Sequence, residues 1–338
     1  MVPNQYQAIE LQRFADSFKA GTEIVTKPLP SPGDNDVVVR NLYCGINGIF
    51  DTQITKNAVD YVKVSLPTLT GVEALGVVEA VGDKVSGLAV GDHVVTTRFP
   101  SGYRQWNIGD ASNFIKVKDG NPHWLVLAST GVSAYVALTQ VGQIKAGETV
   151  AISAAAGGLG HLLIQIAKSF GCHVIAICGG DKKGELARQL GADDVINYRE
   201  VSVRDYLCTH YKDKLDIAFD TVSGPIHDAF LDNLAVHGRL IVAGAAEDLD
   251  GKPELVTRPR IAHKLYYKGA SVRSFMNGLL TEYWPNARDV LFSMYEKGEL
   301  NVVMDDPQFE GLEGVYQGVE RLISGQSMGK VMVKLDQQ

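Results

Sequence analysis

The feature that most constrains this chain is an alternation that begins near residue 147. Thr149-Val150-Ala151-Ile152-Ser153 is a short apolar strand that runs into Ala154-Ala155-Ala156-Gly157-Gly158-Leu159-Gly160, and a helical pattern follows over 161–170. A second strand over 173–178 precedes a helical stretch over 183–190. Residues 194–198, 215–220 and 239–243 give further strands with helical patterns between them, and 281–298 reads as one more helix. Strand and helix alternating through short links predict an α/β fold with a doubly wound parallel sheet of the Rossmann type.

The first 120 or so residues have a different texture. Val37-Val38-Val39 follows the turn-forming run Pro30 to Asp36, Val77-Val78-Glu79-Ala80-Val81 ends at Gly82-Asp83, and Val90-Gly91-Asp92 leads into His93-Val94-Val95. Short β-branched runs punctuated by Gly, Pro and Asp predict a small barrel or sandwich-like domain. Asn121-Pro122 breaks the chain, 125–138 reads as a helix, and the strand-like tail over 329–335 returns to the first domain. The expected division is therefore 1–124 with 299–338 as one domain and 125–298 as the other.

Composition removes several function classes. The 338 residues carry a net charge of −7, which opposes non-specific binding to nucleic acid or to an acidic membrane surface. Residues 1–10 hold no apolar core of a leader, and no run reaches about 18 apolar residues. Cys44, Cys172, Cys178 and Cys208 are scattered, with no CxxC pair. They read as small buried hydrophobes in a reducing compartment, and the expected location is cytoplasmic. Gly102-Tyr103-Arg104-Gln105-Trp106 reads as a loop, and His93 and His161 read as ordinary hydrogen-bonded residues.

The glycine-rich turn after the first strand of the alternation is a candidate dinucleotide site. Ala155-x-Gly157-Gly158-x-Gly160 fits GxGxxG with Ala in the first position. Gly157 lets the backbone approach a pyrophosphate, Gly160 lets the helix pack on its strand, and the exposed amides over Ala156, Gly157, Gly158, Leu159 and Gly160 face the phosphates. The second strand ends Ile177-Cys178-Gly179-Gly180, with no carboxylate before Asp181 to hold a ribose 2′-hydroxyl. Lys183 follows, and Tyr198-Arg199 ends the third strand. A missing acid beside cations favours NADPH over NADH.

With Gly45-Ile46-Asn47, Gly71-Val72-Glu73-Ala74-Leu75-Gly76-Val77-Val78 and Gly91-Asp92 added, the chain resembles the medium-chain dehydrogenase/reductase superfamily from end to end. It is most similar to the zinc-free quinone oxidoreductases and enone reductases of the prostaglandin reductase 3 branch. The closer match lies in the segments 153–160, 172–175, 196–199 and 238–242. The resemblance implies a GroES-like β-rich catalytic domain beside the Rossmann domain. Zinc alcohol dehydrogenases of the superfamily have a catalytic Cys where this chain has Asn47 and a His where it has Val72. Catalytic zinc needs three protein ligands, so no metal is expected.

Without zinc a simple alcohol has no means of ionising, whereas hydride adds readily to a quinone or to the β-carbon of an enone while charge gathers on oxygen. The resemblance therefore implies NADPH-dependent reduction of quinones or α,β-unsaturated carbonyls by direct hydride transfer. The rival reading is an NADPH-binding structural or regulatory protein with little turnover. Asn47 matches the family Asn beside the nicotinamide, and Tyr61, in a loop that opens onto the substrate, is the candidate acid. Ser133 and Phe275 match residues that meet the nicotinamide carboxamide, and Val222 and Gly244 belong at the carboxyl ends of the fourth and fifth strands. Ser327 stands where relatives have an Asn that reaches the cofactor, and Lys330 is retained. The strand near 271–275 resembles the edge through which family members pair, so a homodimer acting on a small-molecule quinone or enone is expected.

Overall fold

The computed structural model describes residues 2–59, 61–248 and 255–335. It contains two compact units, residues 1–129 with 304–338 and residues 130–303. Each boundary lies five residues beyond the expected 124/125 and 298/299. A single continuous helix, His123–Val141, carries the chain past the first boundary, so no change of sequence texture marks it. That helix is long and apolar enough to cross a membrane by length and composition, but 61% of its most apolar window is buried inside the protein.

In the first unit, a seven-stranded sheet is built around Asp36–Gly45, which pairs antiparallel with Glu73–Val81, Trp106–Asp110 and Met332–Lys334. The run Val37-Val38-Val39 is buried on both faces. Val37 and Val39 pack with Val78 and Val94, while Val38 turns to Tyr6, Ala8, Leu29 and Trp106, as the period of two in a strand requires. A smaller sheet orders Thr22–Pro28, Gln5–Leu11 and Thr68–Leu69. The helix Gly311–Ile323 buries Leu312, Val315, Tyr316 and Val319, a helical stripe, against Ile9, Phe18 and Ile46. The tail does return to this unit: Met332, Val333 and Lys334 register with Gly45, Cys44 and Tyr43, and Ile46 N–H donates to Val331 O at 3.0 Å.

The segment read as a loop at 102–106 is more ordered than that. Tyr103 is fully buried, Arg104 bridges to Ala8 of the small sheet, and Trp106 begins a strand. No alternation announces this, because the order comes from chain segments distant in sequence.

The second unit is a six-stranded, all-parallel sheet in the order Asp194–Asn197, His173–Cys178, Thr149–Ile152, Leu215–Asp220, Leu234–Val242, Ser271–Ser274. Counted from its own first strand this is 3-2-1-4-5-6, the doubly wound order. The order reverses between Thr149–Ile152 and Leu215–Asp220, so the carboxyl ends of these two strands form the crevice where such sheets take ligands. The fifth strand begins at Leu234, earlier than the expected 239. It continues through His237-Gly238, where His237 has φ +62°. The expected helix over 281–298 is Trp284–Glu296.

Candidate active site

The candidate residues fall into two groups, one in each unit. In the first, Asn47 caps the helix Gly48–Thr55, directly after the strand that holds Cys44 and Gly45. Its side-chain Oδ1 accepts a hydrogen bond from Lys330 Nζ at 3.2 Å. The same ammonium lies 2.7 Å from Glu73 Oε1, and Ser129 Oγ donates to Glu73 Oε2. Glu73 is wholly buried and Lys330 is only 4% exposed. The sheet register explains the meeting: Gly45 pairs with Glu73 on one side and Met332 on the other, so Lys330 arrives beside Asn47. Gly45 has no side chain because Glu73 occupies its place; a Cβ there would lie 2.0 Å from Glu73 Oε1.

A second chain of polar groups supports the Asn47 backbone. Asn47 N–H donates to Tyr103 OH at 3.5 Å, and Tyr103 OH donates to Asp51 Oδ2 at 2.5 Å. Burial raises the Asp51 carboxyl to about 7, against the downward pull of the Tyr103 hydrogen bond, Lys330 and Asn47 N–H. Burial also holds the Tyr103 phenol well above its usual range, with the Asp51 charge adding to the effect, so Tyr103 remains a donor. Cys44 is driven up in the same way, first by burial and then by Glu73 and Asp51. The sequence reading missed Asp51 and Tyr103. Asp51 lies one helical turn after Asn47 (its N–H donates to Asn47 O), which is the one local signal available.

Tyr61 does not join this cluster. Its ring packs on Phe50 with centroids 6.5 Å apart, Phe50 meets Phe99 edge-on at 5.5 Å, and Tyr61 is 57% exposed. Partial burial raises its phenol, so it carries its proton through the neutral range. Ser327 lies in the turn before Lys330. That turn is tied by Met328 N–H to Asp305 Oδ1 at 2.8 Å, with Asp305 held in turn by Arg321.

In the second unit, the other candidates lie at the carboxyl edge of the parallel sheet. Gly157 N–H folds back to Ala154 O, and the buried His161 sets its Nδ1 against Gly157 O at 3.0 Å. The N–H groups of Gly158 and Leu159 lie at the start of the helix Gly160–Ser169, where the first turn of a helix has no intrahelical acceptor. Gly160 is required for packing, since a Cβ would meet Ala154 O at 2.4 Å and Ala155 O at 2.5 Å. Ala156 is buried beneath the turn. Backbone donors arranged in this way at a helix N-terminus can hold an anion.

Beside it, Gly180 N–H donates to Asn197 Oδ1 at 2.9 Å, which ties the second strand's end to the third. Tyr198 lies so close over Gly179 that a Cβ there would meet its hydroxyl at 2.6 Å and Arg199 Nε at 3.0 Å. Lys183 lowers the Cys178 thiol's pKa from nearby, against the burial that raises it. The second strand thus ends among Lys183, Tyr198 and Arg199, with no acid from 173 to 180.

Val222 follows the fourth strand in a turn organised by Asp220, which the sequence reading passed over. Wholly buried, Asp220 accepts from Val222 N–H at 2.9 Å and Ser223 N–H at 3.0 Å, and faces His227 Nδ1 at 3.0 Å. Gly244 packs against Thr221, and Phe275 N–H donates to Val242 O. Ser133, on the helix Val132–Val136, accepts from Asn277 Nδ2 at 2.9 Å. Asn277 is another omission, since 144 residues separate the pair.

Comparison with known proteins identifies the family. Residues 33–180 match the family described as alcohol dehydrogenase GroES-like domain, and residues 158–293 match the zinc-binding dehydrogenase family. Prostaglandin reductase-3 of Bos taurus is 32% identical over 345 residues, covering 99% of this chain and 90% of that protein. A probable quinone oxidoreductase of Leishmania amazonensis is 29% identical, covering 98% and 99%. Among solved structures, Escherichia coli quinone oxidoreductase complexed with NADPH superposes with a TM-score of 0.80 at 25% identity, covering 97% of this chain and 99% of that one. The chain therefore belongs to the medium-chain dehydrogenase/reductase superfamily, in its quinone oxidoreductase branch.

Proposed function

We propose that this protein is an oxidoreductase that reduces quinones or α,β-unsaturated carbonyls with NADPH, by direct hydride transfer and without zinc. The observation that carries the reading is the buried ammonium of Lys330, 2.7 Å from Glu73 and 3.2 Å from Asn47. Where zinc enzymes of the superfamily have a Cys and a His, this chain has the amide of Asn47 and Val72, and a fixed cation already neutralises Glu73. That donor set does not fit a tetrahedral zinc. It does fit a site whose own hydrogen-bond donors stabilise charge developing on oxygen.

The group of residues in the second unit fits NADPH. Gly158 and Leu159 present backbone donors to a pyrophosphate, while Lys183, Tyr198 and Arg199 offer cationic and hydroxyl donors to a 2′-phosphate. NADPH, when bound, would supply the hydride. Asn47 Nδ2, left without a partner among the described residues, would donate to the substrate or nicotinamide oxygen, Tyr61 would supply the proton, and the rings of Phe50 and Phe99 would give a flat acceptor an apolar wall. We further propose a homodimer formed along the edge strand Ser271–Ser274, near which Tyr266, Tyr267 and Leu279 are more than three-quarters exposed. The four free cysteines support a cytoplasmic setting.

The test is consumption of NADPH, with NADH in parallel, against an o-quinone, a linear enone and a saturated ketone. Reduction of the two conjugated acceptors alone, preferring NADPH and unaffected by chelators, is the expected result. NADPH binding without turnover of any acceptor would instead favour a cofactor-binding regulatory protein. Stoichiometric zinc needed for turnover would refute the zinc-free mechanism.

A further inference from the structure

An asparagine amide presents either a carbonyl oxygen or an NH2 group, and the two exchange by a half-turn of the side chain. A site that depends on the donor must therefore fix the rotamer. Asn47 Oδ1 is engaged by Lys330 Nζ at 3.2 Å, and Asn47 Nδ2 is buried with no hydrogen-bond partner among the described residues. A half-turn would set the NH2 group against the ammonium, donor facing donor. Glu73 prevents the ammonium from swinging away: it is wholly buried, lies 2.7 Å from Nζ, and is itself held by Ser129 Oγ. Asp51 and Cys44 also face this cluster, and both are pushed toward their neutral forms by burial. A buried donor left open is costly unless an acceptor arrives, so Nδ2 is the group offered to a ligand.

We infer that Lys330 is a positioning residue: clamped by Glu73, it locks the Asn47 amide with its NH2 group toward the nicotinamide or the substrate oxygen and polarises that group as a donor. The inference rests on the proposed placement of Asn47 beside the cofactor. It goes beyond that placement by making the donor's orientation depend on a residue 283 positions away in sequence.

The test is a double-mutant cycle in a Glu73→Gln background, so that removing Lys330 leaves no bare buried carboxylate. Lys330→Met, Asn47→Ala and the combination are compared by calorimetric Kd for NADPH and by kcat with a conjugated acceptor. Loss of one charge-assisted hydrogen bond predicts that Lys330→Met costs about tenfold in Kd or kcat while Asn47 is present, and less than about twofold once Asn47 is Ala. Lys330→Arg, in the wild-type background, keeps a charged donor and is expected to retain most of the binding. Equal losses in both backgrounds would overturn the inference while leaving the role of Asn47 intact. A silent Asn47→Ala would overturn both. Because the Kd arm needs no turnover, it separates this inference from the identity of the reaction.

Discussion

Replacing Asp51 by Asn should make the protein more stable at alkaline pH, and the size follows from the structure. The carboxyl is fully buried, and its pKa rises from 3.8 in an exposed chain to about 7 in the fold. A group raised on folding contributes stability that is complete below the unfolded value and is lost as pH rises through the folded one. Between the two values the unfolded chain has released a proton that the folded chain still holds. At about 1.4 kcal/mol for each pH unit, the interval corresponds to about 4 kcal/mol. Asn cannot ionise, yet it keeps an oxygen to accept from Tyr103, whose hydroxyl lies 2.5 Å from Asp51 Oδ2. The measurement is the urea unfolding free energy of both proteins, followed by tryptophan fluorescence from pH 4.5 to 8. The advantage of Asp51→Asn over wild type should grow by about 3 kcal/mol across that window. A flat difference, or one that shrinks as pH rises, would refute the claim that Asp51 is held protonated by burial.

Two further substitutions test the two groups of candidate residues. Arg199→Ala should weaken NADPH binding by about tenfold and leave NADH binding unchanged, as expected for one guanidinium contact with a 2′-phosphate; equal weakening of both nucleotides in a calorimetric titration would remove Arg199 from that role. Tyr61→Phe should lower turnover of a linear enone by about a hundredfold at unchanged NADPH affinity, the range for loss of a general acid. Unchanged turnover would mean that the proton comes from elsewhere.

What the sequence revealed and what it hid divide along a physical line. The parallel sheet was legible because each strand and helix is written in a local period, and the glycine turn because its conformation is demanded by adjacent residues. Gly179 and Gly180 with Tyr198 were legible for the same reason, since they close the ends of neighbouring strands. Tyr103 was hidden: its burial comes from the small sheet and from Asp51, 52 residues away, and no alternation in Gly102 to Trp106 marks it. Glu73 and Lys330 were both visible as residues, but their pairing exists only through the register of Gly45 with Glu73 and of Gly45 with Met332. Asp220 looked like the end of a strand, and only the fold shows it accepting two backbone N–H groups in the turn it starts.

The close contact of Gly45 with Glu73 bears on how such a site can change over evolutionary time. Positions 45, 73 and 330 are locked together: a side chain at 45 collides with the carboxylate, and losing either charge strands the other in a buried place, at a cost of about 3–5 kcal/mol. A charge-changing substitution at any one of the three would need a compensating change at another. Positions 45, 73 and 330 therefore change more readily together than one at a time.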